Sequence, residues 1–233
     1  MRVGIIGAGA MGRAMARRAA TAGAVVLLAD RVAGPGDGRG SGGGSEHGGG
    51  RGGRHRRGHG SGRARRVARE AMAGTPGVVV TATTADALRP GLVFLALDRA
   101  ESLEFLRRHR RTLTGKVVVE LTVPRAEPHG TAMGDLMAAA PGARWVRACA
   151  AGDAESIYRG LIDGHPVDVF VAADDDPAKI RVIELADRSG LRALDAGRLD
   201  RAGVLDELTS LGREISHRLA TPEGWGIKLL PSW

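Results

Sequence analysis

A short glycine-rich motif near the N-terminus has the residue types and spacing of a phosphate-binding turn. Residues 7–12 read Gly-Ala-Gly-Ala-Met-Gly, a G-x-G-x-x-G pattern. In such a motif Gly7 permits a tight turn, Gly9 lets the backbone approach a pyrophosphate, and Gly12 allows a helix to pack closely on a strand. Glycine is abundant in this chain, with 36 residues, so the motif is informative only together with the elements around it.

The flanking sequence predicts a strand, a helix and a second strand in the order that a dinucleotide site requires. Val3–Ile6 is short and apolar, a helix is expected over Ala10–Ala22, and a second apolar run, Val25–Ala29, ends next to Asp30. The N-terminus of the helix would favour the negative charge of a pyrophosphate. This context predicts that the chain binds NAD or NADP.

Asp30 and Arg31, at the end of the second strand, give opposite indications about the cofactor. An acid at this place accepts hydrogen bonds from ribose hydroxyls and favours NAD. An arginine can pair with a 2′-phosphate and favours NADP. Because further arginines follow Arg31, the sequence slightly favours NADP, and NAD is the alternative.

The remainder of the chain alternates short apolar runs with amphipathic stretches, which predicts an α/β fold. We expect a Rossmann-type parallel sheet with a small α/β C-terminal domain. Five buried strands are predicted at Arg2–Ile6, Val25–Ala29, Val78–Thr81, Leu92–Leu97 and Lys116–Leu121. Ligands of open α/β sheets bind at the carboxyl ends of the strands. Cofactor contacts are therefore expected at four strand-end residues: Ala96, Leu97, Thr122 and Pro124.

The pattern changes after about residue 150, which we take as a domain boundary. Residues 1–150 would form the dinucleotide-binding domain, and residues 151–233 a small domain for substrate binding and dimerisation. In the second part a strand is predicted at Val167–Ala172, followed by a helix that begins near Asp174–Pro177 and buries Ile180, Ile183, Leu185 and Ala186. A final helix over Leu199–Leu219 has leucines at helical spacing, which indicates a core stripe or a dimer face.

The positive charge of the chain is concentrated in one glycine-rich segment. Residues 31–66 contain nine arginines and two acids. Residues 33–64 have almost nothing apolar to bury, which predicts a disordered insertion. Its Arg-Gly composition resembles RNA-binding tails, but the aromatic residues that stack on bases are absent, so a nucleic-acid partner is not expected.

Candidate acid–base and metal-binding residues are few. Asp153, Glu155, Tyr158 and His165 follow the nucleotide domain, but each is more typical of a surface or capping residue, so no catalytic residue and no metal site are assigned. The only cysteine, Cys149, excludes an internal disulfide framework. The sequence has no apolar run of about 20 residues, the length of a membrane-spanning helix. We expect a soluble, cytoplasmic protein.

Several stretches together resemble the NADPH-dependent coenzyme F420 reductases (F420H2:NADP oxidoreductases). They are the glycine motif with its preceding strand, Leu92–Leu97, the run from Lys116 to Pro124, Leu191–Arg198 with its Asp-Ala-Gly, and Gly226–Leu229. The resemblance covers residues 1–31 and 78–233. It implies a homodimer that transfers hydride between NADPH and a deazaflavin.

Carried over by position, the resemblance also implies specific contacts. Gly7, Gly9, Ala10, Met11 and Gly12 would hold the pyrophosphate, and Arg31 the 2′-phosphate. The deazaflavin would face Ile227 and the stretch Ala148–Ala151, which includes Ala150.

Three functional hypotheses follow. The first is an NAD(P)H-dependent oxidoreductase that transfers hydride to F420 or an F420-like acceptor. The second is a reductase of a small organic substrate such as an imine, enone or ketone; Ala150 favours it, because it stands where similar family members carry His or Asn. The third is a non-catalytic nucleotide sensor or RNA-contacting protein.

Overall fold

The apolar runs of the sequence form the strands of one eight-stranded sheet. The computed structural model describes residues 1–30, 62–121, 132–220 and 224–230. The sheet contains β1 (Arg2–Ile6), β2 (Val25–Ala29), β3 (Val78–Thr81), β4 (Leu92–Leu95), β5 (Val117–Glu120), β6 (Arg144–Ala150), β9 (Asp168–Ala173) and β10 (Arg192–Asp195). A separate hairpin pairs β7 (Leu161–Ile162) with β8 (His165–Pro166).

The strand order is β10-β9-β6-β5-β4-β1-β2-β3. All neighbouring strands are parallel except β6 and β9, which are antiparallel. The order reverses direction beside β1, so the carboxyl ends of β1 and β4 flank a crevice of the kind in which open α/β sheets bind ligands. The predicted Rossmann-type fold is confirmed.

Helices cover both faces of the sheet. The described helices are α1 (Ala10–Thr21), α2 (Gly62–Met72), α3 (Thr84–Ala87), α4 (Arg99–His109), α5 (Ala132–Ala139), α6 (Ala154–Arg159), α7 (Asp176–Arg188) and α8 (Ala202–Arg218), the last preceded by a 3-10 turn at Leu199–Arg201. Helices α1, α2, α6 and α7 bury apolar side chains against one face. Helices α3, α4, α5 and α8 pack against the other. None of the described helices is long and apolar enough to cross a membrane.

The predicted division at residue 150 falls inside a continuous sheet. Strands β9 and β10 come from the C-terminal part, yet β9 pairs with β6 of the N-terminal part. Val146 of β6 lies opposite Ala173 of β9, and Ala150 lies opposite Val169. Besides its own short β7–β8 hairpin, the C-terminal part therefore extends the N-terminal sheet. Where the domains divide stays a prediction.

Two local expectations need correction. Residues 62–64, the end of the predicted insertion, form the first turn of α2, because Ala64 and Val67 bury an apolar stripe on the sheet. The remainder of the insertion, residues 33–61, lies outside the described residues. In α7 the predicted Ile180 is exposed, because the stripe of this helix that packs on the sheet consists of Ala178, Val182 and Leu185.

Candidate functional site

The glycine motif forms a tight turn between β1 and α1. Gly7 has φ of +104°, a conformation that favours glycine. A Cβ on Gly7 would overlap the carbonyl oxygen of Ala96, and a Cβ on Gly12 would overlap that of Gly7. The N–H of Gly7 donates to the carbonyl oxygen of Ala29 at 2.9 Å. Gly7 and Gly12 are therefore required here, because the neighbouring backbone leaves no room for a Cβ at either position.

The start of α1 is suited to an anion. Gly9 is the N-cap residue, and within the described chain no side chain caps this helix end. The first turn contains Ala10, Met11 and Gly12 and therefore no acid. Free backbone N–H groups and the helix dipole at such an end favour a phosphate. Among the described residues, the nearest atom to a Cβ on Gly9 would be Nη2 of Arg63 at 3.7 Å, so these residues leave the space beside Gly9 open.

The expected strand-end residues share the edge of the sheet with this turn. The N–H of Ala96 donates to the carbonyl oxygen of Ile6 at 2.8 Å, which places the end of β4 beside the turn. Leu97 is buried, and its Cδ2 would lie 3.2 Å from a Cβ on Gly7. Asp30 follows β2 at the same edge and is partly exposed. Arg31, Thr122 and Pro124 lie outside the described residues.

The residues expected to face the acceptor lie in two groups. Ala148 and Ala150 line a narrow cavity of about 30 Å³ together with Met11 and Ile157, on the α1 side of the sheet. Ala151 and Ile227 meet through their backbones, since the N–H of Ile227 donates to the carbonyl oxygen of Ala151 at 2.7 Å. Met11 thus connects the glycine turn with the first group.

The four residues weighed as acids or bases all have structural contacts. Asp153 caps α6 by accepting a hydrogen bond from the N–H of Ser156 at 2.8 Å. Glu155 pairs with Arg13 at 2.5 Å, and the hydroxyl of Tyr158 donates to the carbonyl oxygen of Glu70 at 3.2 Å. His165 is exposed on β8, and its Nδ1 lies 2.8 Å from the carbonyl oxygen of Asp163. In the part of the chain that is described, no three potential metal ligands lie together.

A carboxylate that the sequence did not single out fastens the C-terminal tail, residues 224–230. Asp168 is fully buried and accepts hydrogen bonds from Arg192, from Nζ of Lys228 at 2.7 Å and from the N–H of Leu229 at 3.0 Å. Burial raises the pKa of Asp168, but the hydrogen bonds from Arg192, Lys228 and Leu229 outweigh it and hold the pKa below its usual value. These hydrogen bonds of Asp168 to the tail keep Ile227 beside the end of β6.

A second unpredicted group is a buried ion-pair cluster on the α8 side of the sheet. Arg147 in β6 lies 3.1 Å from Glu120 in β5 and 2.6 Å from Asp206 in α8. Burial lowers the pKa of Arg147, but Glu120, Cys149 and Asp206 more than compensate, so the guanidinium stays charged. The sequence signal that could have revealed this cluster is the position of Arg147 within an apolar strand, because a buried charge requires a partner.

Comparison with known proteins gives agreement in fold. No protein-family model and no curated protein sequence matches the chain. A solved structure from Arthrobacter sp. FB24, provisionally described as an F420-dependent NADP reductase, is 19% identical, with a TM-score of 0.65 over 94% of this chain and 95% of the other.

Longer proteins share the same fold. An imine reductase from Bacillus cereus BAG3X2 is 19% identical, with a TM-score of 0.60 over 95% of this chain and 63% of its own length. A pyrroline carboxylate reductase from Plasmodium falciparum with NADP bound is 12% identical, with a TM-score of 0.59 over 95% of this chain and 67% of the other. The chain thus spans about two thirds of the length of these two reductases.

Proposed function

We propose that the protein is an NAD(P)H-dependent oxidoreductase. The observation that supports this most strongly is the glycine turn. Gly7 and Gly12 permit close backbone packing, and Gly9 borders a helix N-terminus that no described side chain caps. This is where a Rossmann fold receives a pyrophosphate. The similarity in fold to an NADP-bound reductase supports the same assignment.

The proposed cofactor contacts follow from the edge of the sheet. The backbone amides of Gly9, Ala10, Met11 and Gly12 would hold the pyrophosphate, Ala96 and Leu97 would border it, and Asp30 would accept hydrogen bonds from the ribose. Arg31 would contact a 2′-phosphate, and Thr122 and Pro124 would extend the edge after β5. NADP is the cofactor we favour, with NAD as the alternative. When bound, the cofactor supplies a hydride.

The hydride acceptor we favour is F420 or a similar ring system. Ala148, Ala150, Ala151 and Ile227 would border it, and the tail would keep water out by packing Trp225 against Gly212. The described charged residues that line the neighbouring cavity are Arg18 and Arg147, and neither is an acid. Transfer of hydride between two ring systems relies on orientation and proximity more than on a proton donor.

A small organic substrate, such as an imine, enone or ketone, is the second candidate. Ala150 supports it, because this half-buried side chain offers an acceptor no hydrogen bond. The shared fold with imine reductases is compatible with it. A nucleotide sensor or RNA partner is third, because the Arg-Gly segment that suggests it has no aromatic residue to stack on bases.

One cuvette experiment tests these candidates. Purified protein is mixed with NADPH and oxidised F420, the visible absorbance of the deazaflavin is followed, and NADH is run in parallel. Tryptophan quenching reports nucleotide binding. Loss of the absorbance supports the F420 reaction, and binding without loss moves the assignment to a small substrate. RNA binding, unlike dinucleotide binding, should fall steeply with salt. Failure to bind either nucleotide refutes the oxidoreductase.

A homodimer is proposed from the outer face of α8. Val204, Leu211, Ile215 and Leu219 are exposed there at helical spacing, while Leu205 and Thr209 on the opposite face are buried. An apolar stripe of this kind is typical of a helix that packs on a partner. The cytoplasm stays the proposed location, since the single cysteine, Cys149, is free and buried.

A further inference from the structure

Arg63, the second residue of α2, lies beside the glycine turn. Its Nη2 would be 3.7 Å from a Cβ on Gly9. Apart from residues adjoining Gly9 and the backbone of its own helix, no other described atom comes within 4 Å of that position. The guanidinium therefore borders the open space in which we place the pyrophosphate.

The packing of α2 on α1 fixes this arrangement. Ala64, the next residue, is fully buried in the same core cluster as Ala16 and Ala19 of α1. At the other end of α2, Arg17 donates a hydrogen bond to the carbonyl oxygen of Ala73. Because α2 is held at both of its ends, its first residues stay next to the start of α1.

The charge of Arg63 is not neutralised within the described chain. Its side chain forms no hydrogen bond or ion pair with a described residue. By contrast, Arg13 and Arg66 lie 3.7 Å and 3.8 Å from the carboxylate of Glu70. A planar guanidinium with five N–H donors matches the geometry of a phosphate.

We propose that Arg63 donates hydrogen bonds to the pyrophosphate of the bound dinucleotide, an inference that rests on the proposed function. Gly9 gives the backbone side of this phosphate site, and Arg63 gives a charged side chain from a second helix. The pyrophosphate is common to NAD and NADP, whereas the 2′-phosphate belongs to NADP alone. Arg63 therefore contributes affinity for both cofactors and no preference between them.

Two substitutions in the same helix form the test. Arg63→Ala removes the guanidinium, and Arg65→Ala is the matched control, because Arg65 is also exposed but lies two residues, about 200° of helix rotation, further on. Dissociation constants for NADPH and NADH are measured by tryptophan quenching at constant salt. Arg63→Ala should weaken both by about tenfold, and Arg65→Ala by less than about twofold.

Each outcome decides the proposal. Equal loss for the two nucleotides in Arg63→Ala, with partial recovery in Arg63→Lys, supports it. Loss for NADPH alone overturns it and moves the contact to the 2′-phosphate. Equal losses in Arg63→Ala and Arg65→Ala overturn it in favour of general electrostatic attraction. Unchanged binding by Arg63→Ala overturns it while the proposed function stands. A wild-type protein that binds neither nucleotide refutes both.

Discussion

Removal of Arg147 should destabilise the protein more than removal of any surface arginine. The Arg147→Ala variant removes the guanidinium that pairs with the carboxylate of Glu120, whose side chain is 4% exposed. It also removes the donor to the carbonyl oxygen of Glu120. Breaking a buried pair in this way costs about 3–5 kcal/mol. For a chain of this size each kcal/mol lowers Tm by about 2–4 °C, so Tm should fall by about 6–20 °C in a calorimetric scan.

Two further variants separate charge from packing. The triple variant Glu120→Gln, Arg147→Met and Asp206→Asn removes all three charges of the cluster and keeps much of the volume, so it should recover most of the lost Tm. Arg108→Ala breaks an exposed pair with Glu104 and should change stability by under about 1 kcal/mol. If Arg147→Ala melts within about 2 °C of the wild type, the cluster does not have the energetic role that its burial indicates.

Three further outcomes are expected. Gly12→Ala should abolish nucleotide binding in a titration, because its Cβ overlaps the carbonyl oxygen of Gly7, whereas Gly203→Ala, which meets open space within a helix, should bind normally and gain about 0.5–1 kcal/mol. Asp168→Asn should lower Tm at neutral pH, and the difference in Tm from the wild type should shrink as pH falls below about 4. Because the pKa of Asp168 is lower in the folded protein than in the unfolded chain, its carboxylate stabilises the fold at higher pH, and this stabilisation is lost as the carboxylate is protonated. Leu211→Glu on the exposed face of α8 should convert a dimer into a monomer in sedimentation; a sedimentation coefficient that the substitution leaves unchanged would contradict this interface.

Local patterns were sufficient to predict most of the sheet. The apolar runs at Arg2–Ile6, Val25–Ala29 and Val78–Thr81 form strands with those bounds. Short runs rich in β-branched residues favour strands, in which these side chains pack well against their neighbours. The glycine turn was also predictable, since its constraints act within a few residues. Leu92–Leu97 was predicted two residues too long, because Ala96 leaves the strand to pack on the turn.

Contacts between distant segments could not be predicted in the same way. Asp168 meets Lys228 sixty residues later, and Arg147 meets Asp206 across 59 positions. Each is an ordinary charged residue in its own neighbourhood, and its partner comes within reach through the pairing of β9 with β6 or the packing of α8 on β6. A charge inside an apolar strand indicates that a partner exists, but not which residue it is.

Two carboxylates of the C-terminal part hold segments together at the edge where the acceptor is proposed to bind. Asp168 fastens the tail that carries Ile227, and Asp153 caps α6 while accepting a hydrogen bond from the N–H of Gly224. The hydrogen bonds to Asp168 stabilise its charged form and hold its pKa below the usual value, so this carboxyl is a poor proton donor at neutral pH. Asp168 and Asp153 are both engaged in holding the tail, and a tail held in place is what a reaction governed by orientation and proximity requires.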